Sequence, residues 1–252
     1  QRGKDTEKEI EITRAIIKTK SVRDLRGRGD FDLLEPGIGY VRITSFSGKT
    51  DTELEAALVK QEKADMKGLI LDLRDNPGGL LNQSARVAEK FVKRGQLIVS
   101  TEGRGEQIQE KLISQADDVR DLPIVLLVNG GSASASEIVA GCLQDLKRAE
   151  LVGMKTYGKG SVQTILPLRD GSAIRITTAK YYTPSDKVIH EKGIEPDHVI
   201  EMTPEQMRDM SLQRSPAGLD GFSEEEIKRI KAATDPQLDK ALELMRGKLK
   251  AQ

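Results

Sequence analysis

The chain of 252 residues has no tryptophan, four tyrosines and four phenylalanines. An aromatic content of 3% offers no platform for stacking nucleic-acid bases. Forty basic residues balance forty acidic ones, so no net charge supplies an electrostatic footprint on phosphate, and no nucleic-acid partner is expected. One cysteine, Cys142, permits no intrachain disulfide and leaves the redox compartment open. It sits among Ala140, Gly141 and Leu143 and reads as a buried structural thiol, with nothing basic placed to form a thiolate. The two histidines, His190 and His198, lack metal-ligand spacing, and neither a metal nor an organic cofactor is implied. No apolar run approaches membrane-spanning length, no signal peptide opens the chain, and no internal repeat is present.

What is present is concentrated in three short stretches. Gly131-Ser-Ala-Ser-Ala-Ser-Glu137 follows Ile124 to Val128, an apolar run introduced by Pro123 that reads as a buried strand ending in the turn Asn129-Gly-Gly131. Beyond it Ile138, Val139, Cys142 and Leu146 recur at helical spacing. The serines therefore sit where a strand hands over to a helix, and unpaired N–H groups of a first helical turn can receive a developing oxyanion. The residues alone do not choose among Ser132, Ser134 and Ser136.

The second stretch, Gly158-Lys-Gly-Ser-Val-Gln163, opens a strand over 161–168. Lysine is ordinarily a poor base at neutral pH, since its pKa is about 10.4 and burial or positive neighbours must favour the neutral amine by about 4 kcal/mol. The flanking glycines allow backbone to pack closely around Lys159, and in a strand Gln163 would share its face and orient the amine. Serine, lysine and amide make a nucleophile, a base and an orienting group. Gly153 to Lys159 also satisfies the spacing of a phosphate loop, but Gly160 stands where that motif needs Ser or Thr, and a strand follows where it needs a helix. The third stretch, Leu69-Ile-Leu-Asp-Leu-Arg74, is a buried strand running into Asp75-Asn-Pro-Gly-Gly79, a turn that leaves backbone N–H groups unobstructed.

In order and spacing, Leu71 to Gly79, Gly131 to Ile138 and Thr156 to Gln163 together resemble the C-terminal processing peptidases, or tail-specific proteases. Gly37-Ile-Gly-Tyr-Val-Arg-Ile43, Gln144-Asp145 and Gly193-Ile-Glu-Pro-Asp197 fit as well, and the resemblance runs from about Ile10 to His198. It implies an α/β fold, a mixed-sheet protease core related to the crotonase and Clp protease folds. It further implies a serine endopeptidase that cleaves proteins at or near their C-terminal tails through an acyl-enzyme. By the same resemblance Ser134 is the nucleophile, Lys159 the general base and Gln163 the third catalytic residue. The oxyanion donors are then the N–H groups of Ala135 and of Gly78 or Gly79. Asp145 matches a position associated with function in relatives, but eleven residues down the nucleophile helix it reads as structural. The implied partners are a protein or peptide substrate, an adaptor and further copies of the chain. The implied location is extracytoplasmic, in the bacterial periplasm, with any membrane association outside this fragment. The rivals are a non-hydrolytic protein-binding scaffold, an enzyme latent without its PDZ domain, and a serine–histidine protease using His190 or His198.

Residues 1–20 resemble the last strand and connector of the PDZ domain that such relatives carry, so the chain is expected to be a fragment. Residues 21–202 form the protease core, and 203–252 a C-terminal helical extension and candidate oligomer contact. The segment Arg23 to Asp32 is longer and more charged than the resemblance leads one to expect, and reads as a mobile connection or as an engineered junction. Strands are expected at 38–45, 68–74, 96–100, 161–168, 173–182 and 197–201, with Asp170-Gly171 turning a hairpin. Helices are expected at 51–64 and 82–92, and a loop with a short helix over 101–120. Ser223-Glu-Glu-Glu226 opens one C-terminal helix by a capping box, and Asp235-Pro236 opens another. In the last helix Leu238, Leu242, Met245 and Leu249 form a stripe that packs either on the protein's own core or on a second subunit.

Overall fold

A computed structural model describes Thr13 and residues 19–104, 108–214 and 218–251. In chain order its elements are β1 (Val22–Arg23), β2 (Ile38–Ile43), α1 (Thr50–Lys63), β3 (Gly68–Asp72), α2 (Leu81–Glu89), β4 (Leu97–Gly103) and β5 (Ile108–Ile113). There follow β6 (Ile124–Val128), α3 (Ala135–Asp145), β7 (Ala149–Gly153), β8 (Ser161–Pro167), β9 (Ala173–Tyr182), β10 (His198–Val199), α4 (Pro204–Gln213), α5 (Glu224–Lys231) and α6 (Pro236–Lys250). One sheet has the order β1-β2-β3-β6-β7-β10, parallel throughout except for β1. The other, β5-β4-β9-β8, is antiparallel.

Both faces of the parallel sheet are covered, and for that reason Leu69 to Leu71 of β3 and all of β6 are apolar in unbroken runs rather than alternately. Leu69 and Leu71 of β3, Ile124, Leu126 and Val128 of β6, and Leu151 of β7 pack with the buried faces of α1, α2 and α3. The residues between them, Ile70, Val125, Leu127 and Val152, point the other way and pack with Leu238, Ala241 and Met245 of α6. The apolar stripe of the last helix is thus bound to the protein's own core, and Leu242 and Leu249 lie partly buried at its margin. The fit is close: a Cβ placed on Gly68 would come within 2.3 Å of Met245 Sδ.

The start of α6 is joined to the end of β3 by buried charge. Arg74 is 1% exposed and donates from Nη2 to Asp72 Oδ2 at 2.7 Å, from Nη1 to Asp235 Oδ1 at 2.8 Å, and to Gln237 Oε1 at 3.1 Å. Arg214 donates to Asp235 Oδ2 at 2.6 Å and Tyr40 to Asp72 Oδ2 at 2.7 Å. Asp235 is also the N-cap of α6, accepting from Leu238 N. Burial would by itself raise the carboxyls of Asp72 and Asp235, but the Arg74 guanidinium outweighs it and both are held below the usual carboxylate range.

Several expectations are corrected. Over 101–120, β4 continues to Gly103 and β5 pairs with it, because antiparallel pairing decides the conformation of a charged segment whose local preference is weak. Residues 149–153, whose short mixed run predicts no element, form β7. Between Arg23 and Asp32 the Asp24 carboxylate accepts from the N–H groups of Arg26, Arg28, Gly29 and Asp30, which folds this charged stretch into a turn. The expected PDZ remnant lies outside the described residues apart from Thr13, Thr19 and Lys20. Among the described residues no helix is long and apolar enough to cross a membrane.

Because the folded-state pKa values of Asp72 and Asp235 are depressed, their contribution to stability is present above the unfolded value near pH 4 and is lost as pH falls through the folded values. Asp235→Asn leaves Arg74 with Asp72 as its one carboxylate partner and takes away the carboxylate that Arg214 faces, and it should lower the unfolding free energy at pH 7 by about 3 kcal/mol. In urea titrations the gap to the parent chain should narrow below about pH 4. A gap of equal size at pH 7 and pH 3 would contradict the assignment.

Candidate active site

Three adjacent parallel strands, β3, β6 and β7, each deliver one expected piece of the site from the C-terminal end, the rim where open α/β sheets place their ligands. The turn after β3 carries Gly78 and Gly79, the turn after β6 carries Ser134, and the loop after β7 carries Lys159.

Two asparagines hold the first two turns together. Asn129 Oδ1 accepts from the N–H groups of Asp75 and Gly131, both at 2.9 Å. Asn76 donates to Ile43 O at 2.8 Å and accepts from Gly78 N through Oδ1 at 2.9 Å, while its carbonyl accepts from Ala133 N and Ser136 Oγ, both at 2.9 Å. The contact leaves no room for a side chain on Gly78, where φ is +98° and a Cβ would lie 2.6 Å from Ala133 O and 2.9 Å from both Ala135 N and Ser134 Cβ.

This packing separates three serines that the sequence could not. Ser132 is buried and donates to Leu73 O at 2.8 Å, and Ser136 is buried and donates to Asn76 O. Both hydroxyls hold backbone. Ser134 is half-buried at the N-cap of α3, with φ 54° and ψ −113°, a strained conformation of the kind found where a strand turns sharply into a helix to expose a side chain. Its hydroxyl faces the N3 backbone without closing a cap hydrogen bond.

The two expected oxyanion glycines also differ. The N–H of Gly78 is engaged by Asn76, whereas among the described residues no acceptor is bonded to the N–H of Gly79 or of Ala135, the first residue of α3. Gly79 is fixed by the strand-like bridge to Phe46, with Leu80 N donating to Phe46 O at 2.8 Å.

The residue the sequence reading passed over is Glu137. It stands at N3 of α3, fully buried, and its carboxylate accepts four hydrogen bonds from two separate segments. Oε1 accepts from Thr156 Oγ1 at 2.5 Å and from Gly158 N at 2.7 Å. Oε2 accepts from Ser134 N and from Lys159 N, each at 2.8 Å. The backbone nitrogens of the expected nucleophile and the expected base therefore lie no further apart than twice that distance. The available signal was the capping-box spacing from Ser134 to Glu137.

Lys159 itself departs from expectation. The glycines beside it are buried, and a Cβ on Gly160 would come within 2.3 Å of His190 N, so they pack the loop backbone against the strap 189–193. The lysine side chain leaves on the solvent side and is exposed rather than enclosed. Gln163 is exposed too, and a register shift between Val162 and Gln163 breaks the alternation that was expected to set it beside Lys159. Among the described residues no hydrogen bond joins Ser134, Lys159 and Gln163 through their side chains. Asp145 accepts from Ser185 N at 2.9 Å, Ser185 Oγ at 2.6 Å and Lys187 Nζ at 2.9 Å, anchoring the turn that leads into the strap. His198 is hydrogen-bonded to Glu150 at 2.7 Å, and the His190 backbone lies behind the lysine loop. Cys142 is buried on α3, and burial pushes its thiol up to about 12.

The model of peptidase family S41 matches residues 37–200, a span that contains all three turns. This chain belongs to peptidase family S41. It is 42% identical over 98% of its length to a carboxy-terminal-processing protease of Bartonella bacilliformis, and covers 59% of that protein. It is 40% identical over 79% of its length to a carboxyl-terminal-processing protease of Synechocystis sp., of which it covers 45%. Among solved structures it is similar to a photosystem II D1 C-terminal processing protease, with a TM-score of 0.64 and 32% identity over 83% of this chain and 56% of the other. The chain thus spans about half the length of the curated relatives it matches.

Glu137→Gln replaces one acceptor oxygen by an amide that faces N–H donors. The substitution should lower kcat/KM for a peptide substrate by about ten- to a hundredfold, as expected for losing hydrogen bonds to a charged group. A thermal melt should fall with it, and full activity in a folded Glu137→Gln protein would show that the carboxylate does not set the spacing of the two loops.

Proposed function

We propose that this chain is the protease core of a serine endopeptidase that cleaves protein substrates at or near their C-terminal tails. The observation that carries the proposal is the shared Glu137 oxygen, which ties the Ser134 and Lys159 backbones to one point while the neighbouring serines are committed to backbone carbonyls. Ser134 Oγ attacks the scissile carbonyl and the neutral amine of Lys159 takes its proton. The tetrahedral oxyanion receives the N–H groups of Ala135 and Gly79. The ammonium then protonates the leaving nitrogen, and water, activated by the same amine, releases the acyl group from Ser134. Gln163 orients the amine through its side-chain oxygen once substrate brings the two together.

A second reading is favoured by the exposure of Lys159. The chain is then latent, and a covering element supplied by a PDZ domain or by an adaptor lowers the polarity around the amine. Both readings put the protein outside the cytoplasm, in the bacterial periplasm, as a homo-oligomer. Both relate the core to the crotonase and Clp protease folds. No nucleic acid or cofactor enters either.

Incubation with unfolded casein tests the first reading. The parent chain should cleave it, and Ser134→Ala and Lys159→Ala should each reduce the rate by at least about a thousandfold while keeping the fold. Cleavage retained in Ser134→Ala would overturn the nucleophile. No cleavage by any of the three proteins would favour the latent enzyme or a scaffold.

A further inference from the structure

β8 begins two residues after Lys159 and, among the described residues, forms the outer edge of its sheet with β9 as its one paired neighbour. Natural edge strands are usually protected by charge, by shortness or by a covering element. β8 has a bulge at Val162–Gln163 and ends in Pro167, but Ser161-Val-Gln-Thr-Ile-Leu-Pro167 carries no charged residue, and every residue from Gln163 to Pro167 is exposed. Cross-strand partners share a face, and Leu166 pairs with Ile174 while Thr164 pairs with Ile176. Leu168, two residues on from Leu166, continues that face. Four aliphatic side chains, Leu166, Leu168, Ile174 and Ile176, thus lie together, each 42–46% exposed. The opposite face carries Gln163, Arg175 and Thr177 among its residues, with Ile165 its single large aliphatic.

The geometry points to β8 as a strand-addition site for the substrate, in which the extended tail of an unfolded polypeptide pairs its backbone with the open edge and lays every second side chain beside the apolar face. The inference rests on the proteolytic reading of Ser134 and Lys159 and specifies what that site holds. An unfolded tail is the occupant that fits, because it brings unpaired backbone donors and acceptors together with alternating apolar side chains, and because the edge, past one bulge at Val162–Gln163, leads into the lysine loop. The same placement accounts for an exposed Lys159, since a chain lying along β8 reaches the amine and displaces water from it. Seven residues of β8 at about 3.3 Å each set the length of tail that can be gripped, roughly seven residues.

The test uses the full chain carrying Ser134→Ala, so that binding is read without chemistry and a failure of the catalytic reading leaves it interpretable. A fluorescent, unstructured peptide of alternating valine and threonine should bind, as followed by anisotropy, and Leu166→Lys with Ile174→Lys should weaken it at least tenfold without moving the melting transition. The same peptide N-methylated at alternate amides should lose a similar factor on one register only, and truncation below about seven residues should weaken it progressively. Unchanged binding in the double variant together with no effect of N-methylation would overturn the proposal. So would sedimentation showing a dimer that the double variant dissociates while peptide affinity is unaltered, because a second copy would then occupy the edge.

Discussion

One buried carboxylate fixes the distance on which the site depends. Glu137 accepts from Ser134, Lys159, Gly158 and Thr156, and these donors belong to two loops that leave different strands. Its place at N3 of α3 sets the negative charge in the first helical turn, where the macrodipole and unpaired N–H groups favour it. Four hydrogen bonds compensate its removal from water, and among the described residues no cation is paired with it. Loop geometry that would otherwise drift is thereby referred to a single rigid point on a helix packed against the core.

The scaffold repeats this logic on a larger scale. β3, β6 and β7 are neighbours in a sheet whose two faces are both covered, so their ends are held in register before any loop is considered. Asn76 and Asn129 then space the first two turns, and Glu137 the second and third. α6 contributes from the far face, through Met245 against Gly68 and through Asp235 on Arg74, the residue that precedes the turn bearing Gly78 and Gly79. The C-terminal helix is therefore part of the support of the site and packs as a layer of the core.

Much of this was legible where local chemistry is strong. The β-branched run after Pro123 gave β6, Asp170-Gly171 gave the hairpin between β8 and β9, and Asp235-Pro236 gave the start of α6. The strand β7 was hidden because Ala149-Glu-Leu-Val-Gly153 is short and alternates between two buried faces, so it shows neither helical period nor simple amphipathic alternation. β5 was hidden by its charges and exists through its partner β4. The residues alone left Ser132, Ser134 and Ser136 open and the family resemblance pointed to Ser134; the fold adds that the hydroxyls of Ser132 and Ser136 are taken by Leu73 O and Asn76 O. Gln163 was assigned to a face by counting in twos, and one bulge is enough to defeat that count.

Lys159 is exposed, so on the proposed reading the site is completed by whatever covers the rim. The most direct measurement is to trap the acyl-enzyme: mix the chain with an activated peptide ester, quench in acid, digest, and locate the acyl group by mass spectrometry. The expected result is acylation on Ser134, lost when Lys159 is replaced by alanine. An acyl group on Ser132 or Ser136, or equal acylation of Ser134 without Lys159, would contradict it.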